Sequence, residues 1–436
     1  MTDSATASAT ILRLFPGGSH AVDGELVVGG CHVSDLAATY GTPLYAYDEH
    51  ELRSRARRYR EGLEARRPGS RVVFASKAFP AVAMYRLAAE EGLGIDVAGE
   101  GELRLALAAG VDPSSMVLHG NAKTDAELRL AIESGVGLIV IDNDDDVDRL
   151  ERLGARDQPV LVRIQPGIAP ETHASQSTGG NGSKFGLPLA HARKTIARAE
   201  AGSALRFEGI HLHIGSQVVD LEFFAAAVRI AGDFGDVQRY DVGGGLGVDY
   251  LRGDENPSIE DYLDAVTQAA GACLPASAQL IVEPGRSLVA PAGISLYSVT
   301  TVKRDGPVFV AVDGGMSDLL DVALTGQPFE AVIATRLDAP GDTVVEIVGR
   351  QCESGDLLAS GAALPDPVVG DLLAIPVTGA YGYTFANNYN GALKPAVVFC
   401  EDGRARLAVR RETHEDLLRS HLSDAAYAVT RNGEHS

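Results

Sequence analysis

From Thr42 onward the chain alternates short apolar runs with longer stretches in which apolar residues recur every third or fourth position. TPLYAYD (42–48) reads as a strand and EHELRSRARRYREGLEAR as a charged amphipathic helix. RVVFASK is a strand, and PAVAMYRLAAEEG is a helix stopping at Gly92. The alternation continues through LGIDVAG and EGELRLALAAG, SMVLHG and TDAELRLAIESG, GLIVID and DDDVDRLERLG, and PVLVRIQP and LAHARKTIARAEAG. FEGIHLHIGS, QRYDVGGG and QLIVEPGR complete the series of strands. Strands separated by helices, repeated about eight times over about 250 residues, predict an α/β fold of the (β/α)8 barrel type. An open doubly wound sheet would need fewer units. From about Pro291 the texture changes to β-rich segments joined by Gly, Pro and Asp turns, such as SLYSVTTVKR, PVFVAVDGG, TVVEIVGRQC and AVVFC. The opening HAVDGELVVGG has the same character. The expected organisation is therefore a barrel over residues 36–290 and a mainly β domain built from 1–35 and 291–436.

Composition narrows the function classes. A chain of 436 residues exceeds one ordinary core, and 45% hydrophobic content fits a soluble globular protein. No apolar run approaches the roughly 18 residues that cross a bilayer. MTDSATASAT lacks the basic region and hydrophobic stretch of a secretory signal, so a cytoplasmic setting is expected. Cys31, Cys273, Cys352 and Cys400 are widely spaced, which indicates neither a metal site nor a disulfide framework. The net charge of −21 disfavours nucleic acid or an anionic membrane as partner. The tail VTRNGEHS is expected to fray.

In this fold the chemistry collects at the C-terminal ends of the barrel strands. Reading those ends in order gives Lys77, Asp96, His119, Arg163, His213, the run Gly243-Gly244-Gly245, and Glu283 with Arg286. Lys77 is either a solvated charge or a desolvated amine able to attack a carbonyl. DVGGGLG offers backbone N–H groups at a strand end, a cradle for a phosphate or simply a tight turn. It is not the dinucleotide fingerprint, which needs an acidic partner about 20 residues on.

The ordered set ASK, HIGSQ, DVGGGLG, EPGR, VDGGMSD, CESGD and GAYGYTFANNYN resembles the fold-type III pyridoxal-phosphate decarboxylases, most of all their diaminopimelate branch. The similarity runs from about Tyr45 to about Ala396 and includes VLHGNAKTDAELRLAIESGVGLIVID and SKFGL. CESGD and GAYGYTFANNYN separate the chain from alanine racemases and eukaryotic ornithine decarboxylases. The resemblance implies pyridoxal phosphate as cofactor and Lys77 as its Schiff-base lysine, an amine kept partly neutral by small apolar neighbours. It implies that Glu283 faces the pyridine nitrogen and His213 stacks on the ring. His211, two residues before, is expected to point to the opposite side, into the core. Ser216, Gly243, Gly244, Gly245, Gly285 and Arg286 match cofactor contacts, and Tyr381 adds a hydroxyl from the β domain. Cys352 matches a proton donor that reaches the other subunit's cofactor, with Glu353 beside the substrate, which implies a homodimer with shared active sites.

One departure concerns the substrate. After VDGGMSD the relatives carry an Arg-Pro pair and then Leu-Tyr-Gly, whose arginine and tyrosine bind substrate carboxylate. This chain places Asp321 and Thr325 at those positions, leaving Arg163 and Arg286 as carboxylate partners. Losing such an arginine contact costs about 1.5–3 kcal/mol. The reading is therefore an amino-acid α-decarboxylase with an altered distal pocket, acting for example on a modified or carrier-tethered amino acid. Ordinary meso-diaminopimelate decarboxylation to L-lysine is the alternative. A non-catalytic regulatory relative is a further one, opposed by the joint presence of Lys77, Glu283, His213 and Cys352. Racemisation is weakened because CESGD stands where a racemase needs a second base.

Overall fold

A computed structural model describes residues 11–168, 180 and 182–422. The terminal segments MTDSATASAT and VTRNGEHS, and most of the Gly/Ser-rich loop before SKFGL, lie outside the described residues.

Eight parallel strands close into a barrel: Arg71–Ala75, Gly94–Val97, Met116–Leu118, Leu138–Ile141, Gln158–Arg163, Leu205–His211, Arg239–Asp241 and Gln279–Val282. The last pairs with the first, Ile281 opposite Arg71, so no edge remains. The helices between them form where local chemistry allows. Asp125–Ser134 starts on a capping box, Thr124 with Glu127, and stops at Gly135, whose φ of 77° suits a residue without a side chain. Glu49–Arg66, which precedes the first barrel strand, buries Leu52, Ala56, Tyr59 and Leu63, spaced by four, three and four residues, so its apolar stripe follows the helical period.

The second domain is a largely antiparallel sheet. Its main path runs Leu357–Leu364, Thr343–Val348, Val308–Val312, Gly293–Lys303, Leu44–Asp48, Ala396–Glu401 and Arg404–Val409. One expectation is corrected here. Sequence periodicity offers nine candidate strands for eight barrel places, and TPLYAYD is the surplus one. Leu44–Asp48 pairs antiparallel with Gly293–Lys303 and parallel with Ala396–Glu401, inside the β sheet. All five of its residues are buried, so no polar face distinguishes it from a barrel strand by pattern. His20–Val22, Glu25–Val28 and Cys31–His32 form a small sheet tied to the β domain by Leu26 N–H donating to Ala334 O at 2.7 Å.

Candidate active site

The site follows from the pleat. The barrel lumen is plugged by Val73, Val117, Leu138, Val140, Leu161 and Ile281. Side chains two residues apart share a face. One step beyond this plug, the same inward columns reach His119, Asp142, Arg163 and Glu283. An apolar layer thus carries a polar layer at the C-terminal mouth. The resulting cavity of about 200 Å³ is lined by Lys77, Asp96, His119, Arg163, His211, His213, Ser216, Gly245, Glu283, Gly285, Arg286 and Tyr381, among others. A wider cleft of about 930 Å³ opens at the opposite end, beside Glu208, Arg239 and Gln279, and holds no comparable set.

Glu283 is the electrostatic centre. Its backbone N–H donates to Gly243 O at 2.8 Å. His211 Nε2 lies 3.2 Å from Oε2, and His119 Nε2 lies 2.8 Å from Oε1. The His119 contact has no hydrogen-bonding angle, so Oε1 is buried without a hydrogen bond among the described residues. Burial works against the charged carboxylate, but the two histidines outweigh it and hold Glu283 well below the ordinary range. Burial also opposes a charged His119, yet Asp96 and Glu283 raise it. His211 is pushed down to about 3, chiefly by burial. Asp96 is pushed up to about 7, and Asp241 well above its usual range, by burial first, with Glu283 adding to both. The donor atoms of His119, His211 and Glu283 lie within 4.8 Å of one another, close enough for a metal ion as well.

The glycine run wraps this centre. Gly243 and Gly245 have φ of 67° and 119°, and a Cβ on Gly244 would stand 2.0 Å from Glu283 O. Gly244 N–H donates to His213 Nδ1 at 3.2 Å. Nδ1 is therefore an acceptor and the ring is neutral. Burial, then the nearby Lys77 amine, push this imidazole well below its usual range.

Arg286 is held from several sides. Its Nε donates to Ser216 Oγ at 3.2 Å and its Nη1 to the Tyr250 hydroxyl. The Tyr381 ring lies 4.7 Å from the guanidinium carbon. Asp321 Oδ2 stands 3.5 Å from Nη1, both side chains being buried. Arg163 stacks on Phe185 at 4.5 Å and faces Asp142 at 3.9 Å.

The mouth brings together Lys77, His213, Ser216, Gly245, Glu283, Gly285, Arg286, Tyr381 and Arg163, with Gly243 and Gly244 behind them. It does not bring in four others. Asp321 sits behind Arg286, and Thr325 Oγ1 donates to Asp321 O at 2.8 Å. Cys352 and Glu353 are exposed and do not line this cavity. The Cys352 N–H donates to Asn390 Oδ1 at 2.9 Å, and Glu353 accepts from the Tyr389 hydroxyl at 2.6 Å.

Two expectations are corrected. His211 faces the mouth rather than the opposite side, because residues 211 and 213 share a strand face. Lys77 is exposed in the turn Ser76–Ala78, so its apolar neighbours do not bury it in this chain alone. Sequence reasoning also missed Tyr250, Phe185 and Asp241. Asp241 stands two positions before the glycine run and could have been found by parity; Tyr250 sits in a loop with no periodic signal.

Pyridoxal phosphate fits these residues. A buried carboxylate oxygen without a hydrogen bond, a neutral imidazole, a reachable lysine and a glycine turn no side chain could occupy are what its ring, aldehyde and phosphate require. Residues 49–290 match the pyridoxal-binding domain of pyridoxal-dependent decarboxylases. A diaminopimelate decarboxylase from Actinosynnema pretiosum subsp. auranticum is 43% identical over 422 residues, covering 93% of this chain and 94% of the relative. One from Bacillus subtilis (strain 168) is 40% identical over 422 residues, covering 92% and 95%. The crystal structure of diaminopimelate decarboxylase from M. jannaschii with L-lysine superposes with a TM-score of 0.87 at 31% identity, covering 94% of this chain and 99% of that one. The chain belongs to the pyridoxal-dependent decarboxylases, and is a carboxy-lyase that uses pyridoxal phosphate.

Proposed function

We propose that this protein removes the α-carboxylate of diaminopimelate to give L-lysine. The observation that carries the reading is the meeting of Lys77, His213 and Glu283 in one barrel mouth, in a chain whose relatives at 38–43% identity are named for that reaction. When bound, pyridoxal phosphate supplies a sink for the electron pair left as carbon dioxide departs. Lys77, whose amine lines the mouth, would hold the cofactor. Glu283, kept ionised by His119 and His211, holds a proton at the pyridine nitrogen. His213, neutral and fixed by Gly244 N–H, would pack against the cofactor ring without adding charge. The glycine turn at 243–245 and Ser216 serve the phosphate side, and Arg163 and Arg286 the substrate carboxylates.

Cys352 completes the site from a second copy. Its thiol is exposed and lies off the wall of its own chain's cavity, which supports delivery of a proton to the mouth of a partner chain. A homodimer with two shared sites follows from this role.

A second reading rests on Asp321. A buried carboxylate 3.5 Å from Arg286 offsets the cation that would meet a distal carboxylate. That favours an amino acid whose far end is amidated, esterified, tethered to a carrier or basic. One experiment tests both readings: purified protein with pyridoxal phosphate, offered meso-diaminopimelate and distally modified analogues, with carbon dioxide release measured. Highest kcat/KM on meso-diaminopimelate supports the first reading; higher values on a modified analogue overturn it for the second. Release from neither group defeats both.

A further inference from the structure

We infer that Thr384, on the β domain, is a positioning residue for Lys77, whose backbone turn it holds so that the amine faces the mouth. The inference rests on the proposed role of Lys77 as the cofactor-bearing lysine. Lys77 sits in a single 3-10 turn, Ser76–Ala78, closed by one internal bond from Phe79 N–H to Ser76 O. So short a turn has little rigidity of its own. Its other carbonyls are gripped from the second domain. The Thr384 hydroxyl stands 3.0 Å from Lys77 O and 3.1 Å from Ala78 O, sharing one proton between them. The Tyr381 N–H donates to Ala78 O at 2.8 Å.

The gripping segment is itself anchored. Tyr381 takes a left-handed conformation, φ 63° and ψ −10°, which costs a non-glycine residue about 1 kcal/mol or more. That cost is sustained because its ring lies against the Arg286 guanidinium and on Phe385, with centroids 5.7 Å apart. Gly382 passes so close to Tyr45 that a Cβ would stand 3.0 Å from its ring. Asn387 N–H donates to Ser317 O at 2.8 Å. The position of Lys77 is thus set by contacts from another domain, over 300 residues on in the chain. A lysine side chain has four rotatable bonds, so fixing its backbone is the main way to limit where the amine reaches.

The test follows covalent attachment, which joins the Lys77 nitrogen to the aldehyde carbon and releases water. Full-length wild type, Thr384→Val, Thr384→Ser and Lys77→Ala are mixed with pyridoxal phosphate. The rate of borohydride-trappable attachment is read by absorbance and mass, alongside the thermal midpoint of each chain. Thr384→Val is expected to slow attachment about tenfold, the loss of one hydrogen bond of about 1.4 kcal/mol. Thr384→Ser, which keeps the hydroxyl, should stay within about twofold of wild type. A wild-type rate in Thr384→Val overturns the inference. So does equal slowing in both variants, since the lost methyl or the fold would then be responsible. Trapping on Lys77→Ala as in wild type would instead strike the Lys77 assignment beneath it.

Discussion

Removing the negative charge at Asp321 while keeping its shape should change which substrates the site prefers. In Asp321→Asn, Arg286 loses a carboxylate oxygen 3.5 Å from Nη1. At an effective dielectric of ~20 that attraction is roughly 5 kcal/mol. Much of it is offset, because both groups gave up hydration to meet. Arg286 also keeps Ser216, Tyr250 and the Tyr381 ring. A guanidinium freed in this way can turn toward an anionic substrate end, where a charge-assisted hydrogen bond contributes about 1.5–3 kcal/mol. The ratio of kcat/KM for meso-diaminopimelate to that for its distal amide should therefore rise about ten- to a hundredfold. The change should sit mainly in KM, since the contact is made in ground and transition states alike. Stability should fall, because a buried arginine is left without its counter-charge. Steady-state carbon dioxide release with both substrates measures the ratio, and urea unfolding measures the cost. An unchanged or lower ratio in a folded variant would refute the reasoning and leave Asp321 as a scaffold for Thr325 and its short helix.

Two further predictions address assembly and pH. Mixing inactive Lys77→Ala with inactive Cys352→Ala chains, after verified subunit exchange, should restore about a quarter of wild-type activity, because half the random dimers carry one intact site of two; no recovery means that Cys352 does not act across chains. Asp318 is fully buried and pushed up to about 7, by burial against hydrogen bonds from Tyr297, Gly315 and Ser317. The folded protein binds this proton more tightly than the unfolded chain, so stability should fall as pH rises from about 4 to about 7 and then level off. Asp318→Asn should flatten that fall in urea titrations, and an unchanged slope would show that another group is responsible.

The barrel and most of its site are written in local pattern. Short apolar runs alternating with stretches of helical periodicity define the strands, and polar residues at strand ends mark the mouth, as at Lys77, His119, Arg163 and Glu283. Strand-end chemistry is legible because each residue's facing depends only on its parity, a property of one strand. The same parity, properly counted, places His211 beside Glu283. Tertiary structure decided what parity cannot reach. Leu44–Asp48 looks like a barrel strand, and only its pairing with Gly293–Lys303 and Ala396–Glu401 assigns it to the other sheet. Asp321 could have faced solvent or substrate, and its approach to Arg286 depends on where a five-residue helix of the β domain packs. Thr384 carries no signal, since its contact with Lys77 joins residues 307 apart. Local sequence sets which way a side chain points from its own backbone; what it meets there is set by long-range packing, where two domains bring distant backbone into hydrogen-bonding distance.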